Sequence, residues 1–570
     1  MKQLIINDID TCVGCNRCIR VCPVEGANIA YVNGDGEIKV KINDDRCISC
    51  GACITACHHG SRDYVDDTER FFNDLAAGIP ISVFAAPANR VNGNSPERML
   101  SLLRQKGVRR IYDVSLGADI CTWAHIRFIQ RENPRSVISQ PCPAIVNYIV
   151  MHNHKLLPYL SPVQSPMLCT AVYMKRYAGV SDRIAAISPC IAKSNEFQAT
   201  GLVEYNITLK KLYEYIQRHN LPLPAQGSGF DHAESSLGRI YSMPGGLKEN
   251  VELYLGKALR IDKSEGQSVV YKALDEFSRQ TPENLPAIFD VLNCPEGCNL
   301  GTGCDHEKDV FEINAAMDKA RKSVINRHTK EDFDAIYASF DKNLRLEDFL
   351  RRYVPLRVPA YNVTDDQVEA AFDALGKTSS TQRSFDCSAC GSDTCNDMAR
   401  KVACGINTPL NCIQKARDDI HSEHSKVLAM QEQNLNNIEE MLADITGIRE
   451  MSKEIEDNVG GINAAITRFD HMAKEIDSIA MHINIISLNA SVEAARAGVH
   501  GKSFAVVAEE IRSLSHSSKR TVSESSDMTE EATRSIGSIN KAVGAVSEAI
   551  EKTYTDISTI AGATKEMLGR

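Results

Sequence analysis

The chain is 570 residues long, which exceeds what one hydrophobic core supports and predicts roughly four domains. Hydrophobic residues make up 43% and charged residues 24% of the sequence, the balance of a globular protein, and no apolar run long enough to cross a bilayer is present. The absence of such a run argues against membrane insertion. The formal net charge of -10 gives no electrostatic attraction for a phosphate backbone, which argues against a nucleic-acid partner.

The 20 cysteines are concentrated towards the front of the chain: eight precede residue 60 and none follows Cys412. The amino terminus lacks the apolar stretch typical of a secretory signal, so we expect a cytoplasmic protein whose cysteines bind metal rather than form disulfides. From about residue 80 to 300, short β-branched runs alternate with helix-like segments, which predicts an α/β sheet with crossovers.

Two cysteine runs near the amino terminus share the spacing C-x2-C-x2-C-x3-C. In this spacing the fourth cysteine of each run reaches the neighbouring cluster. The predicted sets are quartet A, made of Cys12, Cys15, Cys18 and Cys57, and quartet B, made of Cys22, Cys47, Cys50 and Cys53. Paired zinc sites are the alternative, but they leave the repeated x3-Cys unexplained. The segment resembles bacterial two-cluster ferredoxins, which implies two 4Fe-4S clusters and electron relay.

Three further cysteine motifs each follow a strand-like run: Cys142 follows SVISQP, Cys190 follows RIAAISP, and Cys294 with Cys298 follows AIFDVLN. Because the carboxyl ends of parallel strands meet at one edge of a sheet, these four thiols, called quartet C, are expected to converge on another iron centre. The alternative is four scattered core cysteines, since free cysteine commonly packs as a small hydrophobe.

The segments QPCPAIVNY, SPCIAKSNE and NCPEGCNLGTG resemble the three signature segments of FeFe hydrogenases, and Ala86-Pro87-Ala88 resembles the loop beside their catalytic centre. The resemblance covers about residues 1–310. It implies an H-cluster, in which quartet C holds a 4Fe-4S cubane and Cys298 also bridges to a two-iron unit carrying CO, CN and an azadithiolate. It further implies that H2 is the substrate and that Lys193 hydrogen-bonds a cyanide.

Some positions depart from the hydrogenase pattern. Pro141 stands where working members carry a second cysteine that passes protons, and proline has neither a thiol nor an N–H. Because general acid–base positioning contributes about 10²–10⁴-fold, we expect slow splitting of H2. Cys121 and Cys169 offer another proton route, or are buried structural thiols. The other departures are Ser188, Leu292, Asn293, His125 and Phe128.

A fourth set, quartet D, has the spacing C-x2-C-x4-C-x16-C and contains Cys387, Cys390, Cys395 and Cys412. Four cysteines in so short a segment favour a metal, and zinc competes with iron. The segment resembles small 4Fe-4S modules, which implies a third accessory cluster. Cys304 and Cys404 are left without a role.

The carboxyl-terminal segment carries two heptad series. Counting back from the tip, apolar residues recur at alternating steps of three and four, with Ser487 and Ser452 as exceptions, and a second series runs forward from Phe504. The series mirror each other about Gly498 and Gly501, so we predict an antiparallel hairpin with arms of about 70 residues, reaching about 105 Å. Small residues near the tip suit a four-helix bundle of two chains, a homodimer.

The hairpin tip, IISLNASVEAARAGVHGKSFAVVAEEIRSLS, resembles the signalling tip of methyl-accepting chemotaxis proteins. The resemblance implies that five positions pack receptor dimers together or dock a histidine kinase and its coupling protein: Asn489, Glu493, Arg496, Phe504 and Val506.

We therefore predict four domains: an α+β two-cluster ferredoxin over 1–62, an α/β H-cluster domain over 63–360, a small helical 4Fe-4S module over 361–415 and a coiled-coil signalling hairpin over 416–570. The predicted function is a cytoplasmic hydrogen or redox sensor that splits H2 slowly and controls a histidine kinase. The alternatives are a catalytic hydrogenase with a docking tail, and a pure iron–sulfur chemoreceptor without the two-iron unit.

Overall fold

The computed structural model describes residues 3–93, 95–232 and 236–569. The chain divides into two compact units, Met1–Ala416 and Arg417–Arg570. Among the described residues, none of the helices combines the length and the apolar character needed to cross a membrane.

The strands all lie in the first unit and are β1 (Ile5–Asn7), β2 (Asn28–Val32), β3 (Ile38–Ile42), β4 (Arg62–Tyr64), β5 (Ile81–Ala85), β6 (Ile111–Asp113), β7 (Val137–Ile138), β8 (Arg183–Ser188), β9 (Tyr205–Thr208), β10 (Ile261–Glu265) and β11 (Ile288–Leu292). The helices before quartet D are α1 (Arg17–Arg20), α2 (Ala52–Ala56), α3 (Thr68–Ala76), α4 (Pro96–Gln105), α5 (Val114–Glu132), α6 (Pro143–Met151), α7 (Pro166–Arg176), α8 (Lys193–Thr200), α9 (Leu209–Arg218), α10 (Gly246–Leu255), α11 (Gln267–Phe277), α12 (Val310–Ile325) and α13 (Lys330–Asn343). The later helices are α14 (Asp365–Ala374), α15 (Ser380–Arg383), α16 (Cys395–Ala403), α17 (Ile413–Arg496) and α18 (Lys502–Leu568).

The amino-terminal segment pairs β1 with β4 and β2 with β3, both antiparallel. Its two short helices each begin after a residue in the left-handed conformation, Asn16 (φ 61) and Gly51 (φ 78). Gly51 is required there, because a Cβ would lie 2.4 Å from Thr302 Cγ2. The helices therefore start within the cysteine runs, and Cys18 of α1 and Cys53 of α2 share one hydrophobic core.

The middle of the first unit is α/β, as predicted, and the strand-like runs before Cys142, Cys190 and Cys294 contain β7, β8 and β11. The strands form two parallel sheets rather than one, with orders β6-β5-β8-β9 and β10-β11-β7. All residues of β5 and β11 are buried, as expected for parallel strands covered on both faces. Cys142, Cys190 and Cys294 follow strands that belong to these two sheets.

The segment around quartet D has its own small core. Helices α14 and α16 pack together through Phe372, Leu375 and Met398, and the buried thiols of Cys390, Cys395 and Cys412 join this cluster. Asp386 and Ser388, which flank Cys387, both have positive φ.

The second unit consists mainly of two long helices joined by a short turn, Gly498–Gly501. Helix α17 has 84 residues, about 126 Å at 1.5 Å per residue, so the prediction of about 70 residues was too short for this arm. Helix α18 has 67 residues. Gly501 is required at the turn, because a Cβ would lie 2.1 Å from Ala494 O.

Small side chains bring the two arms together near the tip. Ala480, Ser487 and Ala494 are buried at seven-residue intervals on α17, and Ser515 Oγ donates to Ala480 O at 2.5 Å. Farther from the tip, Ser452 and Ser547 are joined at 2.9 Å. The predicted heptad spacing therefore describes the contact between the arms, with buried residues on α17 recurring every seven positions from 452 to 494 except at 466, which is partly buried.

Candidate functional site

Quartet B is brought together around Cys50. Burial raises the pKa of Cys50 well above its ordinary value, and the neighbouring Cys22, Cys53 and Cys47 raise it further. Burial also raises the pKa of Cys47 to about 11, with Cys22 again contributing. Cys22, the fourth cysteine of the first run, therefore lies near the first three cysteines of the second run.

Three members of quartet A are also close together. Burial raises the pKa of Cys18 despite Arg62, and Cys12 and Cys15 contribute to the rise. Cys57 directly follows α2, and its membership of quartet A stays a prediction. Arg62 is itself buried and its Nη2 lies 3.7 Å from Cys18 Sγ, so this cysteine-rich core contains a cation suited to an anionic cluster.

Quartet C converges on one cavity of about 800 Å³ including its mouth. All four of its cysteines line the cavity, as do Cys50 of quartet B and Lys193. Burial raises the pKa of Cys190 to about 12, with Cys142 raising and Lys193 lowering it. Burial likewise raises the pKa of Cys298 to about 12, with contributions from Cys142 and Cys190. The four thiols thus lie close enough to interact electrostatically.

The cavity suits an iron–sulfur group. Cys142 is buried and the other three thiols are partly buried, so all four cannot ionise beside a single lysine; bound iron would supply the positive charge that stabilises them as thiolates. Ser242 Oγ, in the cavity wall, is buried without a hydrogen-bond partner in the described part of the chain. The backbone N–H of Cys298 donates to Ser242 O at 2.8 Å, which fixes this ligand loop.

Lys193 is held by a buried ion pair. Its Nζ lies 2.6 Å from Glu196 Oε2 and 3.0 Å from Ser165 Oγ. The side chains of Lys193 and Glu196 are only 6% and 4% exposed, and Arg351 lies 3.7 Å from the other carboxylate oxygen. The ammonium therefore has a fixed position at the cavity wall rather than a free range of rotamers.

Several positions that depart from the hydrogenase pattern lie at the cavity. Pro141, Leu292 and Asn293 line it, together with Pro87, which matches the pattern. Ser188 is buried and its hydroxyl bonds the backbone of Cys190, accepting from the N–H at 3.0 Å. Pro141 therefore places an apolar ring in the cavity wall and supplies no proton donor.

A buried polar cluster lies on α5 behind the cavity. Cys121 Sγ is 3.6 Å from His125 Nδ1 and 3.4 Å from the hydroxyl of Tyr241, which lines the cavity. Although burial opposes both shifts, the contacts with Cys169 and His125 lower the pKa of Cys121, and Cys121 raises the pKa of His125. Phe128 is only partly buried, and the proton route through Cys121 and Cys169 stays a prediction.

Quartet D is likewise gathered. Burial raises the pKa of Cys390, and Cys412 and Cys387 contribute to the rise. The backbone N–H of Asp386 lies 3.4 Å from Cys395 Sγ, an orientation that suits a thiolate ligand. No group of three or more His, Cys, Asp or Glu side chains within residues 3–93, 95–232 and 236–569 is arranged to hold a single metal ion.

The five tip residues are all exposed. Phe504 and Val506 are 75% and 69% exposed, which is unusual for large apolar side chains on a helix. Glu493 and Arg496 lie 3.6 Å apart in an ion pair, and Asn489 is also exposed. The tip therefore presents an accessible mixed apolar and polar surface.

Comparison with known proteins assigns three segments. Residues 79–302 match the C-terminal domain of the large chain of iron-only hydrogenases, residues 11–61 match the 4Fe-4S dicluster domain, and residues 458–569 match the methyl-accepting chemotaxis protein signalling domain. Three segments of this chain therefore match the models of known domain families. The hydrogenase, iron–sulfur and chemoreceptor resemblances predicted from the sequence are confirmed.

Individual relatives agree with this division. The HndD component of the NADP-reducing hydrogenase of Solidesulfovibrio fructosivorans is 22% identical over 389 residues, 54% of this chain and 66% of that protein. The chemotaxis protein McpA of Bacillus subtilis is 32% identical over 124 residues, 20% of this chain. The chain spans 19% of McpA and 14% of the chemotaxis protein PscA of Pseudomonas syringae, which is 36% identical over 90 residues, 15% of this chain. A variant of the FeFe hydrogenase HydA1 from Chlamydomonas reinhardtii has a similar structure at TM-score 0.43 and 17% identity, covering 52% of this chain and all of that one.

Several residues of the site are missing from the sequence-based prediction. Glu196 lies three residues after Lys193 on α8, a spacing at which helical side chains meet, so the i,i+3 pattern could have found it. Tyr241 and Ser242 come from other elements, as does Ser165, and only the tertiary fold brings the first two to the cavity and Ser165 to Lys193.

Proposed function

We propose that this protein is a cytoplasmic hydrogen sensor, in which the hydrogenase-type domain binds and slowly splits H2 and the hairpin reports the result to a chemotaxis-type histidine kinase. The observation that carries the proposal is the convergence of quartet C on one buried cavity beside Lys193, in a chain that also has a chemoreceptor signalling segment.

The cysteine sets fit iron–sulfur clusters, and the two-iron unit is what the resemblance to FeFe hydrogenases implies. Quartet C would hold a 4Fe-4S cubane, and Cys298 would also bridge to a two-iron unit with CO, CN and azadithiolate ligands. When bound, this group supplies the chemistry that converts H2 into two protons and two electrons. Quartets A, B and D would each hold an accessory 4Fe-4S cluster, with zinc as the alternative in quartet D.

The protein's own residues would bind the cofactor, shield it from water and limit the rate of the reaction. Lys193, fixed by Glu196 and Ser165, would donate a hydrogen bond to a cyanide ligand. Pro87 and the other apolar wall residues exclude water from the cavity. Pro141 leaves no thiol to accept a proton beside Cys142, which supports slow turnover and a sensing role.

The hairpin would act as the output. Apolar residues of the heptad series that the single chain leaves exposed, such as Phe469, Ile476 and Ile483, would be covered by a second copy in a homodimer. The exposed tip residues Phe504 and Val506 would dock the kinase and its coupling protein. A change in the first unit would reach the tip through α17, which starts directly after Cys412.

Kinase activity measured under H2 and under argon tests this proposal. We expect the full-length protein to change the activity of a chemotaxis-type kinase under H2, and Cys298→Ser to abolish the change because it removes the bridging thiolate. Cys404→Ser is the matched control, since Cys404 belongs to none of the quartets, and it should respond like the wild type. Equal activity in every protein under both gases would refute hydrogen sensing, and a response to dithionite without a response to H2 would favour the pure redox receptor.

A further inference from the structure

Three asparagine side chains connect quartet A to quartet D. We propose that the hydrogen-bonded path Asn16–Asn411–Asn407 transmits the redox state of quartet A to the first turn of α17. The proposal rests on the iron–sulfur part of the proposed function and adds the route by which the signal leaves the electron-relay segment. It does not depend on H2 as the source of electrons.

The three amides are directly hydrogen-bonded. Asn411 Nδ2 donates to Asn16 Oδ1 at 3.1 Å and to Asn407 Oδ1 at 2.5 Å. Asn407 Nδ2 donates in turn to the backbone oxygen of Cys390 at 3.3 Å. A continuous path of polar contacts therefore joins the first cysteine run to quartet D.

The ends of this path lie at positions that respond to charge and control the helix. Asn16 is 7% exposed, has φ 61 and lies between Cys15 and Cys18 of quartet A. Asn411 immediately precedes Cys412, whose backbone oxygen accepts from Ala416 N at 2.9 Å in the first turn of α17. A movement of Asn411 therefore acts on a cluster ligand and on the start of the signalling helix together.

The surrounding contacts hold the two segments firmly against each other. Ala30 N, on β2, donates to Ile406 O at 2.9 Å. Gly391 lies next to the first cysteine run, since a Cβ there would meet Arg20 N and Ile19 Cγ2 at 3.5 Å, an ordinary van der Waals distance. A rigid junction of this kind passes on a small displacement instead of absorbing it.

The driving force is electrostatic. One electron, from H2 oxidation or from a reductant such as dithionite, reduces the iron–sulfur group at quartet A and adds one negative charge beside Asn16; no covalent bond changes at the amides. Although Cys15 is exposed, Cys12, Cys18 and Asn16 are buried, so the added charge acts on Asn16 through a medium of low dielectric. The amide dipole of Asn16 reorients in response to the added charge. Because Asn411 donates to both Asn16 and Asn407, this movement changes the hydrogen bonds of Asn411.

Hydrogen exchange on the full-length, iron-loaded protein tests the proposal. Deuterium uptake in residues 413–417 is compared between the air-free oxidised state and the dithionite-reduced state. We expect uptake in the wild type to differ at least twofold between the two states. Asn411→Asp replaces the shared donor with an acceptor at nearly equal volume, and we expect the difference to disappear.

Two further variants make the result decisive. Asn16→Gly removes the acceptor while allowing the left-handed backbone, so it should also remove the difference. Asn396→Asp makes the same chemical change on the exposed face of α16 and should keep the wild-type difference. The iron content of each protein is measured alongside.

A redox-dependent uptake lost in both Asn411→Asp and Asn16→Gly, at wild-type iron content, supports transmission by the asparagine chain. Uptake that is identical in the two redox states of the wild type, or a difference that persists in Asn16→Gly, overturns it. Loss of iron in both variants also overturns it, because the amides would then serve to hold the cofactor. None of these outcomes bears on H2 sensing, which the kinase assay tests separately.

Discussion

Replacing Pro141 with cysteine is expected to raise the rate of dye reduction under H2 by about 10²-fold or more, since well-placed general acid–base groups contribute about 10²–10⁴-fold. Pro141 lines the quartet C cavity next to Cys142 and supplies no exchangeable proton. The substitution places a thiol where the resembling hydrogenases carry one, without touching any of the four proposed ligands.

The control for this experiment is Pro141→Ala, which removes the ring and frees the backbone but adds no thiol. Its rate should stay near that of the wild type, with all three proteins matured in parallel and normalised to iron content. Equal rates for the cysteine and alanine variants would show that proton supply at this position does not limit turnover.

Replacing Glu196 with alanine is expected to destabilise the hydrogenase-type domain by about 3–5 kcal/mol, because removing one partner of a buried ion pair leaves the other charge uncompensated. The Lys193 side chain is 6% exposed. Without Glu196, its ammonium would keep only the neutral hydroxyl of Ser165 as a hydrogen-bond partner. Arg351 would not replace the carboxylate, since it carries the same charge as Lys193.

The single tryptophan of the chain makes this measurable. Trp123 is buried on α5, so urea unfolding followed by its fluorescence reports on the hydrogenase-type domain. The control is Glu132→Ala, which breaks an exposed ion pair between Arg131, 43% exposed, and Glu132, 50% exposed. This substitution should change the free energy of unfolding by less than about 1 kcal/mol. A loss for Glu196→Ala no larger than for Glu132→Ala would contradict the structural role of the buried pair.

Local spacing explains which features the sequence predicts. The interleaved cysteine runs, the strand-like runs before Cys190 and Cys294, and the heptads of the hairpin all depend on periods of a few residues. These periods are fixed by the geometry of loops, strands and helices. The segment identities that follow from them agree with the family comparisons.

Features that depend on strand pairing or on distant contacts are not predictable in this way. The parallel strands divide into two sheets because β7, only two residues long, pairs with β11 rather than with β6 or β9, the edge strands of the other sheet, and no local pattern specifies that choice. The contact between Asn16 and Asn411 spans 395 positions in the chain. Ordinary polar residues of this kind gain a role only from the fold that brings them together.

The proposed sensor requires quartet C to hold a complete H-cluster whose state the hairpin reports. Infrared spectroscopy of protein produced air-free with hydrogenase maturation enzymes tests for that cofactor. We expect bands from CO and CN bound to iron in the wild type, and none in Cys298→Ser. Wild-type protein with iron in all four quartets but without CO and CN bands would rule out an H-cluster in quartet C.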